Sequence, residues 1–113
     1  YYRGTFEKCV KLKKMTSSSL ANVGKYDFKD CTRLESITLG KNLKSIGDSA
    51  FNNNRKLKSV NIKSTKLSKV GKSAFSKIHS KAKFTVPKSK LKKYKKLIKS
   101  NGKSPKNVKF IAK

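Results

Sequence analysis

The stretch IGDSAFNNNRKLKSVNI begins at Ile46, and VGKSAFSKI begins at Val70 with the same apolar-Gly-x-Ser-Ala-Phe start. Aligning Val23, Ile46 and Val70 brings Gly24, Gly47 and Gly71 into one column and Phe28, Phe51 and Phe75 into another. Further columns follow: Leu34 and Leu57; Ile37, Val60 and Phe84; Leu39, Ile62 and Val86; and, after a one-residue slip, Leu43, Leu67 and Leu91. Upstream, a partial unit sets Phe6, Cys9, Leu12 and Met15 above Phe28, Cys31, Leu34 and Ile37. One such unit has too little apolar surface to exclude water alone, so successive units are expected to stack like side chain on like.

Composition supports this. With 113 residues, 35% hydrophobic and 32% charged, the chain is lean for a single compact core. Its 31 Lys and Arg against 5 Asp and Glu give a formal charge of +26, outside the range that suits a small soluble domain. The excess is uneven, because Asp48 is the last acidic residue and everything after it is a polycation. Only Arg3, Arg33 and Arg55 are arginines, so the charge is presented almost wholly as hydrated ammonium points, not planar forks.

Two units contain L-x-x-[IV]-x-[LI], as LESITL and LKSVNI. Self-similarity at a period of roughly 20 to 29 residues around such a core marks leucine-rich repeats, each adding one short strand and a returning segment. We expect a right-handed leucine-rich-repeat solenoid of short parallel β-strands joined by turns and short helical segments. Residues 1–87 hold about four units, the first partial and the last degenerate. In that last unit Lys81 falls where Leu34 and Leu57 stand, so Ala82 beside it is expected to turn inward.

Residues 88–113 depart from the pattern. Ser89 is a candidate N-cap, Leu91, Tyr94, Leu97 and Ile98 fall at helical spacing, and Asn101-Gly102 supplies a stop, predicting a helix over about 88–100. After Pro105 the alternation in VKFIA predicts a strand over about 107–112. Helix and strand together are expected to cap the open edge of the last repeat, which would otherwise invite pairing with another chain.

The Gly-x-x-Ala-Phe turn, the Leu-Lys-Ser-Val strand and the Phe-x-x-Cys of TFEKC and DFKDC resemble the BspA-like leucine-rich repeats of bacterial surface proteins, over about residues 4–87. That resemblance implies a secreted or wall-attached protein associated with adhesion, and it carries no catalytic residues to transfer. On this reading the chain is the C-terminal piece of a longer extracellular protein, its signal peptide lying upstream.

Candidate chemistry is sparse. Cys9 and Cys31 share a column, where adjacent strands lie about 4.8 Å apart, within reach of a disulfide. Side chains in one ladder point the same way, however, and Asn54 and Ile78 continue the column, which favours buried thiols over a bond or a metal site. His79 has no acidic residue nearby in sequence and no partner for general-base work. Ser-x-x-Lys occurs at Ser80, Ser89 and Ser100, a frequency that chance supplies from 15 Ser and 28 Lys. Glu7, Asp27, Asp30, Glu35 and Asp48 are scattered, forming neither a calcium loop nor a carboxylate pair, and no Gly-rich phosphate loop is present. We expect no enzyme activity and no cofactor.

What remains is surface. Alternation along the strands turns the neighbours of the core positions outward on the concave side. The candidate binding face is Lys14, Thr16 and Ser18, then Ser36, Thr38 and Gly40, then Ser59, Asn61 and Lys63, and finally Lys83 and Thr85. These residues are mostly small and polar, without the Trp, Tyr and Arg that dominate tight interfaces. The chain is therefore expected to act as a monomeric binding or adhesion scaffold for a protein or glycan. A second class is a structural stalk or cap retained on anionic cell-wall polymers by its lysines. Nucleic-acid binding is a third, disfavoured because readers of nucleic acid interleave aromatics and Arg, whereas most aromatics here occupy core columns. No apolar stretch approaches the length of a membrane span.

Overall fold

Coil upon coil, the chain hydrogen-bonds to itself one repeat later. A computed structural model describes residues 13–17 and 20–113. Phe6, Cys9, Leu12 and Ser18 lie outside the described residues, so their expected places in the columns rest on sequence alone.

Each of the first three described coils contributes a long and a short strand, and the fourth a long strand alone. The long strands are β1 (Lys14–Ser17), β3 (Ser36–Leu39), β5 (Ser59–Ile62) and β7 (Lys83–Val86); the short ones are β2 (Asn22–Val23), β4 (Ser45–Ile46) and β6 (Lys69–Val70). A 3-10 turn at Lys88–Lys90 leads into α1 (Leu91–Ser100), and β8 (Lys109–Ala112) ends the chain. The long strands form a parallel sheet ordered β1-β3-β5-β7-β8, and the short ones a second sheet ordered β2-β4-β6. Register follows the sequence columns: Met15 pairs with Ile37, Ile37 with Val60, and Val60 with Phe84.

Turns between coils stack as well. Phe28 donates its N–H to Ala50 O, Phe51 to Ala74 O and Phe75 to Gly102 O, at 2.8 Å each. This spacing brings backbones into contact at the glycine column: a Cβ on Gly47 would lie 2.5 Å from Lys25 N, and one on Gly71 2.4 Å from Asp48 N. Only a residue without a side chain permits that approach. The same turns hold non-glycine residues at left-handed φ in two further columns, Tyr26, Ser49 and Ser73, and Asp30, Asn53 and Lys77.

The core lies between the two sheets. Phe28, Phe51 and Phe75 are fully buried and stack nearly parallel, with centroids 5.1 and 5.3 Å apart. Phe84 meets Phe75 edge-on at 5.0 Å and stacks on Phe110 at 5.1 Å. Leu34, Leu57, Ile37 and Val60 are buried beside them. Ala82 is buried and Lys81 exposed, as the break in the leucine column implies.

Three details of the C-terminal segment differ from expectation. Ser89 does not cap the helix: it lies exposed inside the 3-10 turn, and the cap position falls on Lys90 with no side-chain hydrogen bond. The turn after Pro87 already tightens the chain, Lys90 N–H donating to Pro87 O, so no side-chain cap forms there. Leu91 does not continue the Leu43 and Leu67 column; it is the half-buried first residue of α1, and buried Tyr94 reaches that column instead. The left-handed residue after the helix is Lys103, at φ 52, while Gly102 is required because a Cβ there would lie 2.5 Å from Ile98 O.

Candidate functional site

Parallel, in-register pairing turns single outward residues into rows. The strands place Lys14, Ser36, Ser59, Lys83 and Lys109 beside one another, and Thr16, Thr38, Asn61, Thr85 and Ile111 in the next row. Lys14, Thr16, Ser59 and Lys83 are exposed; Ser36, Thr38, Asn61 and Thr85 are half-buried by their neighbours. The inward residues between them, Ile37, Val60 and Phe84, are buried, so the two rows share one face. Lys63 is exposed just past β5 and lines a surface hollow of about 340 Å³ with Asn61, Thr85, Pro87 and Lys113. Gly40 is buried and adds nothing to that face.

Strand β8 extends both rows. Its parallel pairing with β7 places Lys109 beside Lys83, Phe110 beside Phe84 and Ile111 beside Thr85. Ile111 is 41% exposed, an apolar side chain at the end of an otherwise polar row. Lys109 and Ile111 stand outside the expected binding face because residues 107–112 are expected to cap the sheet's edge, although the alternation in VKFIA carries the signal for them. Further basic residues surround this end. Lys92, Lys93, Lys95, Lys96 and Lys99 are all exposed on α1, and the Lys95 ammonium lies 6.0 Å from the Phe110 ring centroid.

Helix α1 is joined to the preceding coils by a buried polar relay. Tyr94 donates its hydroxyl to Ser64 O at 2.7 Å and accepts from Leu67 N–H at 3.1 Å, and the Ser64 hydroxyl donates to Leu43 O at 2.5 Å. Burial pushes the Tyr94 phenol above its usual 10.0, and the hydrogen bond from Leu67 N–H partly offsets this. Buried and committed, Tyr94 holds structure together.

The other candidates are likewise structural. Cys31 is fully buried; in the same column Asn54 Nδ2 donates to Phe28 O and Phe51 O at 2.6 and 2.9 Å, and Ile78 closes the column with an apolar side chain. His79 is half-buried and its Nδ1 accepts from Lys81 N–H at 3.0 Å. Asp27 accepts from Gly24 N–H and Asp48 from Lys72 N–H, so two of the carboxylates tie turns together. Asn53 Nδ2 donates to Asp30 Oδ1, using a third in the same way. The Ser100 hydroxyl donates to Lys96 O within its own helix.

Stacked coils, aligned apolar columns and a face built from in-register strands define a leucine-rich-repeat solenoid. The profile of the BspA type leucine rich repeat region matches residues 2–112 in six copies, and the chain belongs to that family. The matched span runs through the C-terminal segment. Comparison with curated proteins returned no match, and neither did comparison with solved structures. Repeats of this family are typically binding scaffolds, usually surface-associated. Among the described residues, no helix is long and apolar enough to cross a membrane.

Proposed function

We propose that the chain is a non-enzymatic binding or adhesion module of an extracellular, cell-surface protein, and that its ligand lies across the long strands. The observation that carries this reading is the pair of outward rows on β1, β3, β5, β7 and β8, whose positions are held by backbone pairing and need no ordering on contact. Lys14, Thr16, Ser36, Thr38, Ser59, Asn61, Lys63, Lys83 and Thr85 form that surface, and a protein or a glycan is the partner. In this reading residues 1–87 display the surface and 88–113 close it as a cap, in a monomeric chain.

Binding of the purified chain to immobilised cell-surface proteins and to purified cell wall, across a range of salt, tests this. A partner retained at high salt and lost in Thr38→Arg with Asn61→Arg is the expected result. Adhesion through this face is refuted if every interaction vanishes at moderate ionic strength or survives the double substitution.

A structural stalk or cap is the second reading, favoured by the absence of Tyr, Trp and Arg from the described part of those rows. It predicts no salt-resistant partner at all.

A further inference from the structure

The degenerate last repeat and the C-terminal segment together build a feature that no earlier coil has among the described residues. Lys81 replaces the buried leucine of the preceding units and is exposed. Pairing of β7 with β8 then sets Lys83 directly beside Lys109, two like charges on neighbouring strands. Such a pair opposes sheet formation and is ordinarily avoided. Lys81, Lys83, Lys109 and Asn107 line a hollow of about 350 Å³, and no carboxylate takes part in its wall. Asp48 is the last acidic residue in the sequence, so none of the repeat and cap segments that build this wall contributes a countercharge.

We propose that this hollow is a phosphate-binding site, taking a terminal phosphate monoester of a polymer or smaller ligand. Lys81, Lys83 and Lys109 line it from two strands and the loop before them, and Asn107 adds a neutral amide. Ammonium groups bind tetrahedral oxyanions such as phosphate as point charges, with no need of a planar fork. A phosphate monoester carries roughly −1.5 to −2 at neutral pH, so three cations favour it over singly charged anions. Bound phosphate also relieves the repulsion between Lys83 and Lys109. The site shares Lys83 with the proposed binding face but lies at one corner of it and uses none of its threonines, so phosphate binding should persist in Thr38→Arg with Asn61→Arg.

The test is an NMR titration of the full chain with inorganic pyrophosphate at constant ionic strength, with sulfate as competitor. Expected are saturable shifts centred on the Asn107 side-chain amide and the Lys83 and Lys109 backbone amides. Affinity should fall at least tenfold in Lys83→Gln with Lys109→Gln and change less than twofold in the control Lys92→Gln with Lys96→Gln on α1. Lys81→Gln, outside the strands, reads the same site without altering the sheet and should cost severalfold. Unsaturated shifts spread over all lysines, or equal losses in the site and control pairs, overturn the proposal in favour of a diffuse cationic coat. Sulfate binding as tightly as pyrophosphate overturns the preference for phosphate.

Discussion

The ring of Phe51 lies 5.1 Å from Phe28 on one side and 5.3 Å from Phe75 on the other, within 3° and 6° of parallel. It is therefore packed by aromatic neighbours from both adjacent coils. Phe51→Ala should cost about 3–5 kcal/mol, the range for deleting a buried phenylalanine, because neither neighbour can collapse into the gap without breaking register. Urea unfolding monitored by circular dichroism measures this. A loss below about 1 kcal/mol would mean that the column does not bear on stability.

The glycine column makes a steric prediction. A methyl on Gly71 would sit 2.4 Å from the Asp48 backbone nitrogen, which cannot yield without separating two coils. Gly71→Ala should destabilise by about 1–3 kcal/mol, the range for overpacking. Lys77, exposed at φ 61, gives the opposite sign. Lys77→Gly should stabilise by up to about 1 kcal/mol, relief of the left-handed backbone exceeding the added entropy of the unfolded chain. Thermal melts of both variants decide it.

Tyr94 links α1 to the preceding coils through Ser64 and Leu67. Tyr94→Phe leaves a buried carbonyl and a buried N–H without that hydroxyl and should cost about 1–3 kcal/mol. The sign of its pH dependence follows from the direction of the shift. Burial raises the folded value above the ordinary 10.0, so the neutral phenol favours the fold. That contribution is fully present below the unfolded value and is lost as pH rises through the folded one. The stability difference between wild type and Tyr94→Phe should thus be constant to about pH 9 and shrink beyond the usual tyrosine range. Lysine titration is common to both proteins and cancels in the difference. A gap that widens at alkaline pH contradicts the raised value.

Removing residues 88–113 should expose the β7 edge and uncover Phe84 and Phe75, producing aggregation or loss of cooperative unfolding. Size-exclusion chromatography and a urea titration of residues 1–87 check this. A monomeric, cooperatively folding truncation refutes the capping role.

Much of the fold was legible in the sequence because each coil restates the same local rule. The recurrence of an apolar-Gly pair four residues before a Phe aligned Phe28, Phe51 and Phe75. The period-2 alternation in LESITL and LKSVNI placed Ser36, Thr38, Ser59 and Asn61 outward. Ala82 could be chosen over Lys81 because apolar burial outweighs strict spacing when a lysine is the alternative.

The C-terminal segment was less legible, since it performs the work of a repeat with different residues. Gly102 accepts the Phe75 N–H as Ala74 accepts that of Phe51, and Tyr94 reaches Leu67 from a helix. No spacing in the chain announces either contact. The sequence by itself determined which side chains recur and so which can stack, because periodic burial is a local property repeated. Tertiary structure alone decided that β8 joins the sheet in register, bringing Lys109 beside Lys83 and Ile111 beside Thr85, because pairing between segments 26 residues apart depends on how the intervening helix packs.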